Sequence, residues 1–331
     1  MEQRRFGDSD LVCSALGFGT WELSITQYGA IDWGQINRAV NLAIDRGITL
    51  FDTAEVYGPY HSEILLARAL GPRRKDIVLV TKVGYAFTAD HKIIKRDSTY
   101  ASVIAHTEGC LQRLGTDYID LLLIHWPDHD TPIPETMAAL EKLKRDGKIR
   151  HYGVSNYNVE MMTIAEQHGH LTANQVGYNL FDRRMEREVL PFCLEHKIGF
   201  MAYGSLGYGL LSGAMTAATT FPDYDWRSAG KAFGLPLFER EAFLKELRVV
   251  ERLKELAASY GKTVAQLAIA WVLGHPAVTV ALVGMRTPAE VEENTAALDW
   301  RLTSADRAAI DRIFAEEGVP TYVDAPQAQA R

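Results

Sequence analysis

The sequence has little that would tie it to nucleic acid or lipid. Lysine and arginine number 35 against 42 aspartates and glutamates, a formal net charge of −7, which disfavours non-specific attraction to nucleic acid or an anionic membrane. No basic patch interleaved with aromatics offsets that balance. No apolar run reaches the roughly 18 residues of a membrane span, and the N-terminal MEQRRFGDSD lacks the apolar region of a signal peptide. Cysteine is scarce. Cys13, Cys110 and Cys193 stand far apart without metal-ligand spacing, so free thiols in a reducing, cytoplasmic setting are expected rather than a disulfide framework. The histidines and carboxylates show no zinc or magnesium pattern, so no metal is expected. A dinucleotide fingerprint is also missing. The early GFGTW (residues 17–21) is not G-x-G-x-x-G, which argues against a doubly wound sheet.

What is present is a regular alternation of apolar runs and helical patterns. The runs ALGFGTW, ITLFDT, IVLVTK, YIDLLLIHW, IRHYGVSN, ANQVGYN, IGFMAY and VTVALVG read as eight strands. Between them, apolar spacings of three and four, such as Ile36, Val40 and Ala43/Ile44, predict helices over 32–47, from 62 to 70, and over 101–114, 133–145, 159–168, 187–196 and 262–273. A peripheral helix is expected over 303–314. Eight β/α units predict a (β/α)8 TIM barrel, and a chain of 331 residues fits such a barrel as one domain over 1–331. Residues 5–12 read as a hairpin around Gly7, Asp8, Ser9 and Asp10. Residues 85–100 read as a polar loop. A long excursion, 204–261, follows the seventh strand; its first part is glycine-rich, and its second, with Phe221, Tyr224 and Trp226, is expected to cover a substrate.

Several strands end in ionisable groups. FDTAEVYG places Asp52 at the end of one run and Tyr57 five residues on; IVLVTK ends at Lys82, and YIDLLLIHW ends at His125 and Trp126. Parallel α/β folds keep their chemistry at these strand ends. A phenol is a weak acid, with a reference pKa of about 10, and an adjacent ammonium favours its ionised form. Lys82 is suited to that task, Asp52 to orienting and neutralising the lysine, and His125 to donating a hydrogen bond to an oxygen that gains charge.

Asp52, Tyr57, Lys82 and His125, in this order, resemble the catalytic tetrad of the aldo-keto reductases, and the resemblance extends from LGFGTW at Leu16 to the region of Asn294. It implies a (β/α)8 barrel plugged at its base by the N-terminal hairpin, and NAD(P)H-dependent reduction of a small carbonyl compound, or oxidation of the alcohol. It also implies that Ser155, Asn156 and Gln175 bind the nicotinamide carboxamide and that Tyr203 stacks on the ring. Gly204, Ser205, Leu206, Gly209 and Leu211 belong to the run resembling the pyrophosphate loop, with Tyr-Gly-Ser-Leu in place of the common Tyr-Ser-Pro-Leu. GMRTPAEVEEN resembles the adenosine segment, with Arg286 for the 2′-phosphate and Asn294 for the adenine. Gly284 and Glu290 stand where some NADPH-preferring relatives carry basic residues, and Glu290 would repel a phosphate if it faced the pocket. NADPH is therefore expected over NADH by a modest margin, with NADH still usable. Trp21, Tyr85 and Trp126 are expected to line the substrate cavity.

Taken singly, these residues have plainer readings. Asp52 and Lys82 would make a buried ion pair, His125 a satisfied core histidine, and Tyr57 a hydrogen bonder at the rim. Glu55 is expected to face solvent, Glu63 to favour a helix N-terminus, and His61, His106, His151, His168, His170 and His196 to serve packing or surface roles. Two other functions compete: a regulatory subunit that holds the cofactor with slow turnover, and a barrel aldolase or phosphosugar isomerase, the aldolase using Lys82 as a Schiff base. Asp52 argues against the aldolase, because it keeps the lysine protonated.

Overall fold

The computed structural model describes residues 1–327. A two-stranded hairpin opens the chain, β1 (Gln3–Arg5) with β2 (Val12–Ser14). The eight expected runs then form β3 (Leu16–Gly19), β4 (Leu50–Asp52), β5 (Val78–Val83), β8 (Ile119–Ile124), β9 (Ile149–Ser155), β10 (Ala173–Gly177), β11 (Gly199–Tyr203) and β12 (Val278–Gly284). They close into one barrel of parallel strands in chain order, β12 pairing with β3. Between β5 and β8, β6 (Tyr85–Phe87) and β7 (Ile93–Arg96) make a second antiparallel hairpin. The expected polar loop is thus partly strand. Its register shifts at Ala86/Phe87, so it lacks the clean alternation that reveals a strand in sequence.

The helices are α1 (Ile25–Tyr28), α2 (Trp33–Asp45), α3 (His61–Leu70), α4 (Tyr100–Leu114), α5 (Ile133–Arg145), α6 (Val159–Glu166), α7 (Val189–Glu195), α8 (Arg240–Ala258), α9 (Val264–Leu273), α10 (Pro288–Thr295) and α11 (Ser304–Glu317). Local chemistry sets their ends. Asp32 caps α2 by accepting from the Gln35 amide, Gly115 ends α4 at φ 61°, and Thr263 with Gln266 forms a capping box on α9. Helix α2 buries Ile36, Ala39, Val40 and Ala43 on one face, whereas all ten residues of α9 are buried, as expected of a helix apolar on every side. The 19-residue α8 makes part of the excursion helical, and Phe243, Leu247, Val250, Leu253 and Ala257 repeat at helical spacing along it. Among the described residues, no helix is long and apolar enough to cross a membrane.

The barrel interior is filled by Leu50, Val80, Leu121, Leu123, Ala173, Met201, Val280 and Leu282, and Phe6, Leu11 and Cys13 belong to the same cluster. Gly199 begins β11, and a side chain there would meet the Phe6 ring at 2.2 Å. The first hairpin therefore seals the N-terminal ends of the strands, leaving the opposite mouth for chemistry.

Candidate active site

Asp52 is the last residue of β4, Lys82 the penultimate residue of β5, and His125 directly follows β8. Ser155, Tyr203 and Gly284 end β9, β11 and β12. All six thus gather at the C-terminal mouth. Tyr57 arrives on the loop between β4 and α3, pinned by its amide to the Ala54 carbonyl at 3.1 Å, while the Glu55 amide bonds the Lys82 carbonyl at 3.2 Å.

The Lys82 ammonium is fully buried. It donates to Asp52 Oδ1 at 2.6 Å, to the Thr53 carbonyl at 2.9 Å and to the Tyr57 hydroxyl at 3.2 Å, which uses all three of its protons. Asp52 Oδ2 accepts from Gln175 Nε2 at 2.7 Å; β10 stands opposite β4 in the ring, so this bond spans the mouth. The His125 ring lies edge-on to Tyr57, centroids 5.6 Å apart at 80°, and to Tyr85, 5.7 Å apart at 85°.

Burial dominates the electrostatics. It raises the Asp52 carboxyl and lowers the Lys82 ammonium, and their mutual attraction opposes both displacements. Burial, followed by the charge of Asp52, pushes the Tyr57 phenol well above its usual range. The sequence had suggested that Lys82 would lower it. The ammonium is shared with Asp52, however, and that neighbouring anion offsets its effect. His125 is held well below the usual imidazole range by burial and by the charges of Lys82 and Arg96. The site therefore presents a protonated phenol beside a neutral imidazole.

A cavity of about 870 Å³ opens on this group. Its lining includes Asp52, Tyr57, Tyr85, His125 and Trp126, with Trp21 stacked beside Tyr57, centroids 6.3 Å apart, and also Ser155, Asn156, Gln175, Tyr203, Gly204, Ser205, Leu206, Gly209, Gly284, Arg286, Glu290 and Asn294. Lys82 reaches Tyr57 from behind the cavity wall.

A family model for the aldo/keto reductase family matches residues 15–315. The chain belongs to the aldo-keto reductase family. Sequence relatives include an aldo-keto reductase of Bacillus subtilis, 37% identical over 95% of this chain and 94% of its own length. An NADH-specific methylglyoxal reductase of Escherichia coli is 34% identical over 92% and 96%. Among solved structures, a glycerol dehydrogenase from Gluconobacter oxydans superposes with a TM-score of 0.87 at 37% identity, covering 95% of each chain. An aldo-keto reductase from Klebsiella pneumoniae in complex with NADPH gives 0.74 at 30%, covering 95% of each chain.

The cavity of this aldo-keto reductase suits a dinucleotide. Ser155, Asn156 and Gln175 are buried yet line it. Their geometry is fixed: Ser155 Oγ donates to the Gln175 carbonyl at 2.8 Å, Asn156 Nδ2 to the His125 carbonyl at 3.1 Å, and the Tyr203 hydroxyl to Asn156 Oδ1 at 2.9 Å. Gly204 and Gly209 take φ of 64° and 99°, and a side chain at Gly204 would strike the Tyr208 ring at 2.7 Å, so only glycine keeps this backbone open to a close ligand. Arg286 Nη2 donates to the Ala30 carbonyl at 2.6 Å.

Some expectations change. Leu211 does not line the cavity; it is fully buried in the core, since the kinked turn 207–212 rotates it inward. Glu290 lines the cavity, yet its Oε2 accepts from the backbone amides of Arg286 and Thr287 at 2.6 and 3.0 Å. It completes a capping box on α10, so its carboxylate is held by its own helix start while still lining the cavity. From the excursion, Arg227 and Phe233 line the cavity rather than Phe221 or Tyr224; Phe221 packs on Phe238 and Phe243, and Tyr224 is exposed. Trp226 stacks on Trp21 at 5.1 Å.

Glu55 does not face solvent. Helix α4 covers it, its Oε2 lies 2.7 Å from His106 Nδ1, and burial raises its carboxyl. Glu63 is also buried, accepting from Thr81 Oγ1 and Arg113 Nε at 2.6 Å each. Residues the sequence did not single out, including Glu22, Gln27, Tyr28, Tyr208 and Phe233, also line the cavity. Phe233 lies in a turn with Gly234, at φ 48° and 85°, and no local pattern in the sequence distinguishes a turn that walls a cavity from one that faces solvent.

Proposed function

We propose that this protein reduces an aldehyde or ketone to the alcohol, reversibly, with NADPH as the preferred reductant and Tyr57 as the proton donor. The observation that carries this reading is the Tyr57 hydroxyl at a cavity wall, 3.2 Å from a buried ammonium and beside a neutral histidine ring. Ser155, Asn156, Gln175 and Tyr203 would hold the nicotinamide. Gly204, Ser205, Leu206 and Gly209 would pass the pyrophosphate, with Arg286 at the 2′-phosphate and Asn294 at the adenine. When bound, the reduced nicotinamide supplies the hydride.

The chain's residues handle the proton. The neutral His125 ring donates a hydrogen bond that orients the substrate oxygen. The Tyr57 O–H bond breaks as a new O–H bond forms on that oxygen, and the phenolate left behind is stabilised by Lys82 Nζ. Asp52 keeps Lys82 charged and in place. Tyr57 regains its proton from solvent. Trp21, Tyr85 and Trp126 would bind apolar or sugar-like substrate faces. An aldolase does not fit, because Lys82 is fully buried with every proton engaged.

The relatives differ in cofactor: one is named NADH-specific and another structure holds NADPH. Arg286 favours NADPH here, with no basic side chain at Gly284 to join it. The test is oxidation of NADPH with a panel of aryl, aliphatic and sugar carbonyls at fixed cofactor. Sustained turnover with at least one class is expected. Tight NADPH binding with uniformly negligible turnover would replace this reading with that of a cofactor-holding regulatory subunit.

A further inference from the structure

Glu22 sits in the short 3-10 turn Trp21–Leu23 just beyond β3, and it lines the cavity. Its carboxyl lies against Gly284, the last residue of β12: a Cβ there would fall 2.0–2.2 Å from the carboxyl carbon and both oxygens. The carboxyl thus lies on backbone that only glycine leaves bare, in the cavity that the glycine-rich segment and Arg286 also line. We propose that Glu22 is a charge gate on the cofactor's diphosphate, opposing it when ionised and admitting it when protonated. The proposal rests on the cofactor reading above.

The surroundings divide over that charge, and the carboxylate's own backbone amide favours the anion. Glu290 of α10 repels it, while Arg286 after β12 and Arg227 of the excursion attract it. Both arginines are engaged elsewhere, Arg286 with the Ala30 carbonyl at 2.6 Å and Arg227 with both Asp225 oxygens at 2.9 and 2.6 Å. Tyr28 of α1 and Tyr57 also feel Glu22, each being harder to ionise beside it, and Glu293 lines the same cavity. Burial, with the Glu290 charge, lifts the Glu22 carboxyl to about 7, so the gate changes state near neutrality. An incoming diphosphate raises it further, and binding takes up a proton.

NADH is the better probe, because the 2′-phosphate of NADPH itself titrates near pH 6. The dissociation constant of NADH is measured between pH 6 and 8.5, with calorimetry in two buffers of different ionisation heat to count protons. Wild type is expected to weaken about tenfold across that range and to take up roughly half a proton at pH 7. Glu22→Gln, which keeps the shape and fold, should bind NADH at pH 8.5 about as tightly as wild type does at pH 6, with no uptake. Glu22→Ala should do the same if the glutamine variant folds poorly. A pH-flat wild type, or a slope that survives in both variants, overturns the gate while leaving the cofactor site intact. Absence of nucleotide binding at every pH overturns both.

Discussion

At Tyr57 two influences oppose one another: burial and Asp52 keep the phenol protonated, while Lys82 offers a hydrogen bond that stabilises its anion. Removing the hydroxyl removes the proton. Tyr57→Phe is expected to lower the single-turnover reduction rate by about 10²-fold or more, with NADPH affinity nearly unchanged; near-wild-type reduction would remove Tyr57 from the donor role. Arg286→Ala should weaken NADPH by roughly one to two decades and leave NADH nearly unaffected; an equal loss for both would take Arg286 off the 2′-phosphate. His125 gives a stability signature. Its folded pKa lies well below 6.5, so as pH falls through 6.5 the unfolded chain takes up a proton that the folded protein refuses. The His125 contribution is therefore absent above that pH and turns unfavourable below it, by about 1.4 kcal/mol at pH 5.5. In urea unfolding at pH 7.5 and 5.5, the stability of wild type relative to His125→Gln should fall by about that amount at the lower pH, and an unchanged difference would mean that His125 titrates normally in the fold.

Among the elements, α8 carries an unusual load. Glu246 is 1% exposed on its inner face, its Oε2 has no hydrogen-bond partner, and burial lifts its carboxyl to about 8. The folded protein holds this proton between about 4.5 and 8 while the unfolded chain releases it, so stability falls as pH rises across that window. Glu246→Gln removes the penalty. Its gain over wild type in denaturant unfolding should be near zero at pH 4.5 and reach on the order of 2–4 kcal/mol at pH 8. A gain independent of pH would mean that Glu246 is already paired. The β6–β7 hairpin and the turn at Phe233-Gly234 are elements of another kind, placing His91 and Phe233 at the cavity while contributing no strand to the barrel.

For the molecule as a whole, the barrel has a sealed end and an open one. Phe6 fills the sealed end against Gly199, far from the mouth where Tyr57 lies. Phe6→Ala is expected to destabilise the protein by about 3–5 kcal/mol while leaving kcat of the folded fraction within about twofold. A large kcat loss at full folding would show that the base of the barrel governs the mouth. At that mouth, the Gln175–Asp52 bond across the ring ties opposite strands into one unit, so the polar groups of the site are held by barrel closure itself.

The sequence by itself determined the eight strands, most of the helices and the strand-end positions of Asp52, Lys82, His125, Ser155, Tyr203 and Gly284, because burial periodicity and capping are local and leave their trace in neighbouring residues. The excess of acidic over basic residues equally disfavours a basic nucleic-acid surface. Only the tertiary structure decided the facing of each side chain across elements. Glu55 reads as a loop carboxylate until α4 brings His106 to 2.7 Å, and Leu211 reads as part of a glycine-rich loop until the kink at Tyr208 and Gly209 turns it into the core. Glu290 reads as a charge aimed at a phosphate until its own helix start claims it, and Glu22 shows its place only when β12 closes on β3 and sets it over Gly284. Each outcome depends on which distant backbone arrives beside a side chain, and closure of the ring is the event that brings it there.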